Sequence, residues 1–388
     1  MLPKSGGLLV LFLAPVFAAN AGSGLTVHEW GTFTSVAAED GSATPWVSLA
    51  PPADLPCFVY HLTDQCVKCG LNKVRMETPV LYFYSGKPMT AAVHVDLPNG
   101  LITEWYPRAT MGTVPGQGYT YGAGGNIDWS HVQILPGDTA EYPNAGDKSH
   151  YYAARETDSA GLRVGEQAEK VLFYRGVANF DVPVAPRFLP DGRVEIRNEG
   201  SEPIGFAMLF ENRDGKVGYR LIRGLSGAQV VAEPELTSST EAVKQELSQA
   251  LVAAGLFPKE AAAMIETWRD SWFEEGARVY YIMPRIKVDA VLPIAITPAP
   301  ESIERVFVGR VEALSPAMHQ SIETALKAGD TGSLAKWGRF ALPFARQIAV
   351  NPAPAASQYL SEAQRRLYET SEAAAPVCRS ETRAIPTK

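Results

Sequence analysis

The sequence predicts a mainly β fold with helical additions: an antiparallel β-sandwich core, an inserted helical hairpin and C-terminal helices. Three observations predict it. Apolar and aromatic runs recur at a spacing of ~10–20 residues from 151 to 232, separated by turn pairs such as Asp191-Gly192 and Asp214-Gly215, and strand signals precede them. At residue 238 the hydrophobic period lengthens from that of a strand to that of a helix. Strand-like runs return at 278–312, and helical patterns then close the chain.

The first segment is not part of that core. Residues 1–21 combine Lys4, an apolar run from Gly7 to Ala18, and Ala19 and Ala21 at the A-x-A positions of a secretory signal. The run is too short for a relaxed membrane span. Cleavage is expected after Ala21, with Ala18 the next choice, giving an exported chain, periplasmic or extracellular. No later stretch has ~18 uninterrupted apolar residues, so no transmembrane span is expected in the mature chain. A net charge of −7 disfavours nucleic acid as a partner. The expected pieces are the signal peptide 1–21, a β-rich sandwich region 22–237, the inserted hairpin 238–276, returning strands 277–312, and a C-terminal helical segment and tail 313–388.

Within the sandwich region, 25–35 reads as a strand and 36–56 as a loop. Val80–Tyr84 is a continuous apolar run that suits a buried strand. Ala92–Leu97 alternates, and Pro98-Asn99-Gly100 predicts a hairpin turn into a returning strand, Leu101–Tyr106. Residues 107–150 read as long loops around one short strand, and strand signals resume at His150–Arg155. In the inserted hairpin, Ser238 and Glu241 suggest a capping box ahead of Val243, Leu247 and Leu251. Pro258 opens a second helix with Met264, Ile265, Trp268 and Trp272 on its stripe, and Gly276 closes it. Residues 278–312 give three strands, RVYYIM, AVLPIAI and ERVFVGRVEAL. Three amphipathic stretches follow, marked by Met318, Leu334 and Tyr359.

Two constellations could carry chemistry. Cys57, His61, Cys66 and Cys69 are spaced C-x3-H-x4-C-x2-C, and a tetrahedral site of three thiolates and one imidazole would take zinc. Export favours disulfides instead, with Cys378 an additional partner, so disulfides are preferred over metal and over free thiols. The second constellation is a set of carboxylates beside aromatics: Glu29 before Trp30, Glu104 before Trp105 and Tyr106, Glu156 after Tyr151, with Glu77 and Glu211 in similar company. Aromatic surroundings disfavour the charged carboxylate and suit a general acid, and aromatic faces hold sugars. Glu104, Glu156 and Glu29 are therefore the catalytic candidates, and Trp105, Tyr106, Tyr151 and Trp30 the substrate-binding ones. Two carboxylates across a cleft would cleave a glycosidic bond. His28-Glu29 with His150 is a weaker acid–base or metal candidate, and His94 is expected to be solvated.

The phrases HEWGTFTS at 28–35, RMETPVLYFYS at 75–85, TEWYPR at 103–108, YYAARETD at 151–158 and RVFVGRVE at 305–312 together resemble an uncharacterised group of exported bacterial proteins. The resemblance spans most of the mature chain and implies one integrated unit. It supplies no activity, cofactor or catalytic residue. Three function classes follow from the residues: a carbohydrate-binding or carbohydrate-active protein, a non-catalytic cell-envelope interaction protein, and a metalloprotein with a Cys/His site. The expected partner is a glycan or another envelope component.

Overall fold

The computed structural model describes residues 24–46, 55–62, 71–112 and 125–373. Nineteen strands form three sheets among these residues. In chain order the first eight are β1 (Leu25–Ala37), β2 (Ala43–Thr44), β3 (Tyr60–His61), β4 (Val74–Ser85), β5 (Met89–Asp96), β6 (Gly100–Tyr106), β7 (Thr110–Gly112) and β8 (Asn126–Leu135). There follow β9 (Gly161–Val164), β10 (Gln167–Glu169), β11 (Leu172–Ala178), β12 (Val184–Phe188), β13 (Arg193–Asn198), β14 (Ile204–Arg213), β15 (Lys216–Leu225) and β16 (Ala228–Ala232). Beyond the helical hairpin lie β17 (Gly276–Ile282), β18 (Ile294–Thr297) and β19 (Ser302–Ala313).

The largest sheet has ten strands in the order β15-β14-β17-β19-β1-β4-β11-β6-β3, with β2 on β1. A six-stranded sheet, β10-β9-β8-β5-β18 with β7 on β8, and a three-stranded sheet, β12-β13-β16, complete the set. One apolar core fills the space between the large sheet and the two smaller ones, through Phe33, Phe83, Trp105, Trp129, Tyr174 and Phe307. Alternation on each strand sends the other side chains to the opposite face of the large sheet. There the helices cover them. Trp30, Tyr82 and Tyr280 pack under α1 (Thr240–Ala253) and α2 (Pro258–Thr267). Val36 and Ala277 pack under the helices that follow β19.

The strand pairing departs from an all-antiparallel sandwich at the centre of the large sheet. There β1 and β19 run parallel, in register from Thr26 opposite Ser302 to Val36 opposite Glu312. A parallel pair needs cover on both faces, and β1 is buried along all but one of its residues. Gly31, beside a register shift between β1 and β4, lets Phe307 approach within 2.6 Å of where a Cβ would stand.

Four local expectations are corrected. Asn99-Gly100 does not close a hairpin: β5 pairs with β8 and β18, and β6 pairs with β11 and β3, so the turn carries the chain from one sheet to the other. Glycine is needed there because a Cβ at Gly100 would lie 2.3 Å from the Val177 carbonyl oxygen. His150–Arg155 is a 3-10 helix rather than a strand, started by Ser149, whose Oγ accepts from the Tyr151 N–H. The AVLPIAI stretch is mostly not strand: α3 (Arg285–Val291) precedes the short β18, and Val288 and Val291 reach the core at helical spacing. Finally, α1 is capped by Ser239 rather than Ser238, and α2 stops at Thr267, leaving Trp268 and Trp272 in the turns that follow.

The C-terminal helices α4 (Pro316–Ala328), α5 (Thr331–Ala335), α6 (Ala341–Gln347) and α7 (Pro354–Ala373) are built from conventional signals. Ser315 caps α4 through a bond from the Met318 N–H, and Gly329 ends it in the left-handed conformation.

Candidate functional site

Four of the five aromatic-flanked carboxylates are spent on the fold. Glu29 points into the intersheet core, where its Oε1 accepts from the Tyr174 hydroxyl at 2.5 Å and its Oε2 from Arg305 Nε at 2.5 Å. Arg305 continues to Asp289 on α3 at 2.8 Å. Glu104 is also buried, accepting from Thr103 Oγ1 at 2.5 Å. It stands opposite Arg175 on β11 and His61 on β3 in the strand register. Alternation places it on the face of β6 away from Trp105. Glu77 accepts from Thr34 Oγ1 at 2.7 Å, and from Arg339, and lies 3.2 Å from Arg75 Nε. Burial pushes its carboxyl pKa up, but the guanidinium groups of Arg339, Arg75 and Arg310 overcome that and hold it well below the usual range. Glu211 is bound by Arg213 at 2.5 Å. Of the five, Glu156 alone is exposed, just past the 3-10 helix, with its backbone N–H donating to the Ala153 carbonyl.

These positions do not converge. Glu29 on β1 and Glu104 on β6 are separated by β4 and β11, three inter-strand steps or about 14 Å, and lie on opposite faces of the sheet. The aromatic candidates are likewise committed. Trp30 is wholly buried beneath the helices, and Trp105 and Tyr106 stack on Tyr60 at centroid distances of 6.2 and 6.3 Å. Tyr151 donates to Glu169 at 3.0 Å and helps enclose Arg155, which Phe58, Tyr142 and Tyr152 also contact through their rings. That aromatic enclosure is filled by the chain's own guanidinium, held to Glu169 by bonds of 2.8 and 2.6 Å.

Of the metal-type set, Cys57 and His61 lie in the described segment before and on β3, while Cys66 and Cys69 lie outside the described residues. The adjacent pair His28-Glu29 is divided by the strand's alternation. His28 faces the helical hairpin, and its Nδ1 is 2.8 Å from Oε2 of the buried Glu260. His150 is elsewhere, paired with Asp270 at 2.7 Å. His94 is not simply solvated: it is half-buried between Asp128 at 2.7 Å and Asp96 at 3.1 Å.

Sequence reasoning missed Glu260. Its carboxylate collects three groups, since Tyr84 donates its hydroxyl at 2.7 Å and the Phe257 N–H donates at 2.8 Å, alongside His28. The readable signal was the position of Glu260 at the third residue of a helix opened by proline, where a carboxylate reaches back to the preceding backbone. Burial and the neighbouring Glu260 raise the Tyr84 pKa far above its ordinary value.

Tyr84 also lines a pocket of about 360 Å³ where one end of the large sheet meets the six-stranded sheet. Thr26 from β1 and Ser85 and Gly86 from the end of β4 form one side. Asp158 and Ser159, just before β9, form the other. The Ala160 N–H donates to the Phe83 carbonyl and ties the two sheets at this point. None of Glu29, Glu77, Glu104, Glu156 and Glu211 lines this pocket.

No protein-family model and no curated protein matches the chain. Solved structures to which it is similar include a yeast delta-COP-I mu-homology domain, 9% identical over 75% of this chain and 96% of that one, with a TM-score of 0.26. The same domain complexed with a Dsl1 WxWxV peptide is 8% identical at the same coverage and TM-score. Likeness at that level carries no argument about this chain's fold or function.

Proposed function

We propose that the chain is an exported cell-envelope protein that binds a partner without catalysing a reaction on it. The observation that carries this reading is the commitment of the four buried carboxylates, Glu29, Glu77, Glu104 and Glu211. Glycoside cleavage needs two carboxyl groups ~5–9.5 Å apart across a cleft, and Glu29 and Glu104 stand about 14 Å apart on opposite faces of one sheet. Each is buried and hydrogen-bonded. The signal-like residues 1–21 support export, and no helix among the described residues is long and apolar enough to cross a membrane.

A glycan remains the favoured partner class, because the pocket beside Tyr84 is lined by hydroxyls and by Asp158. For the cysteines, disulfide bracing is preferred over zinc, because an oxidising compartment favours disulfides. The test is to incubate the mature chain with an array of glycans and purified envelope components, with product analysis on the same samples. Retention on one class with no product is the expected result. Release of a cleaved product would sink the proposal.

A further inference from the structure

We infer that the pocket at the sheet junction is a binding site for a single uncharged sugar unit, held through its hydroxyl groups. The inference rests on the binding reading above and names the site and ligand chemistry. Two lining side chains, Thr26 and Tyr84, are positioned by the fold before any ligand arrives. Thr26 and Tyr84 are cross-strand partners on β1 and β4. The Tyr84 hydroxyl is fixed by its bond to Glu260 on α2. Lys259, the residue before Glu260, bonds the lining residue Asp158 at 2.5 Å. Preorganised walls reduce the ordering cost of binding a small ligand.

The polar atoms left over define the ligand. The Tyr84 proton is committed to Glu260, so the phenolic oxygen can only accept from a ligand. Thr26 Oγ1 accepts from Ser302 Oγ at 3.1 Å, which leaves its own proton free to donate. Asp158 bonds Lys259 through Oδ1, and Oδ2 makes no bond among the described residues. A carboxylate oxygen that accepts, a hydroxyl that donates and a phenol that accepts suit adjacent sugar hydroxyls, which do both. A charged ligand fits less well. Lys259 and Asp158 already neutralise each other, so neither an anion nor a cation finds an unpaired opposite charge. The glycine at 86 leaves room, because a Cβ there would meet nothing within 4 Å and its backbone is not left-handed. The volume of about 360 Å³ is near the lower limit of ligand pockets, which suits one ring rather than a chain.

The test is a calorimetric and ligand-observed NMR titration of the full mature chain. The probes are glucose, galactose, mannose and N-acetylglucosamine, with acetate and propylamine as charged controls. Saturable binding of at least one sugar and of neither charged probe is expected. Gly86→Trp, which fills the pocket, should abolish it. Asp158→Asn should weaken it about 10-fold, the worth of one hydrogen bond to a charged acceptor, and serves alone if Gly86→Trp does not fold. Absence of binding by all four sugars, binding by a charged probe in their place, or sugar affinity unchanged in the folded variants would overturn the inference. Catalytic turnover of a glycan with intact sugar binding would instead overturn the non-catalytic reading and leave the pocket assigned.

Discussion

Arg305 and Glu29 sit 276 positions apart in the chain and 2.5 Å apart in the core. A buried ion pair adds little net stability over an apolar pair, but removing one partner leaves the other charged and without compensation. Arg305→Ala should therefore destabilise the protein by about 3–5 kcal/mol, read as a lower urea midpoint at unchanged slope. Glu77 gives a pH prediction. Its folded pKa is depressed, so its contribution is complete above the unfolded value of about 4.3 and is lost as pH falls toward the folded value. Stability measured across pH 5 to 2 (roughly the span of that linkage) should fall less steeply in Glu77→Gln than in the parent. His94 has the opposite sign. Burial lowers its pKa, but the bonds and charges of Asp128 and Asp96 prevail and raise it. Its contribution is present below about pH 6.5 and is lost as pH rises through the folded value. His94→Gln should flatten that part of the stability profile. The sequence made these carboxylates look reactive because it showed their aromatic neighbours and hid their partners. Local residues Trp30 and Trp105 were visible. The arginines that bind Glu29 and Glu77, Arg305 and Arg339, arrive from 276 and 262 positions away.

At the level of elements, periodicity revealed most strands and both hairpin helices. It was weakest where one motif serves two geometries. Asn99-Gly100 is a hairpin signal, yet here it turns a sheet corner, because a strand's neighbour is chosen by long-range packing. Val291 and Leu292 run into Ile294–Ile296 as one apolar stretch that reads as a strand, and only the burial of Val288 with Val291 at helical spacing marks its start as helix. Gly309 was unreadable for a related reason: its role depends on its cross-strand partner. A Cβ there would fall 2.0 Å from Tyr281 Cζ. Gly309→Ala must displace a buried tyrosine between β17 and β19, and should cost roughly 1–3 kcal/mol as an overpacked site. Thermal unfolding would measure this, and Tyr281→Phe should not relieve the clash, since the ring carbons themselves are in contact.

Across the whole molecule, β1 is the strand on which the layers depend. It pairs with β19 in parallel, turns Glu29 and Phe33 toward the smaller sheets, and turns His28 and Trp30 toward the hairpin. Its Thr34 meets Glu77, which in turn binds Arg339, a residue between α5 and α6 that latches the C-terminal helices to the sheet. Arg339→Ala should loosen that layer before the rest, seen as faster amide exchange in α4 to α6 with β1 and β4 still protected. Equal loss of protection in the strands would show that the layers unfold together. The overall class was readable because alternation and helical period are local. The use of the carboxylates was not, because it depends on which face and which neighbour each strand receives. The central claim is that the buried carboxylates hold the fold and that the protein binds without turnover. The measurement that tests it most directly is reducing-end release from a panel of polysaccharides by the mature chain and by Glu156→Gln, the variant of the exposed carboxylate. The account predicts no release above the protein-free blank from either. Release by the parent chain that Glu156→Gln abolishes would contradict it.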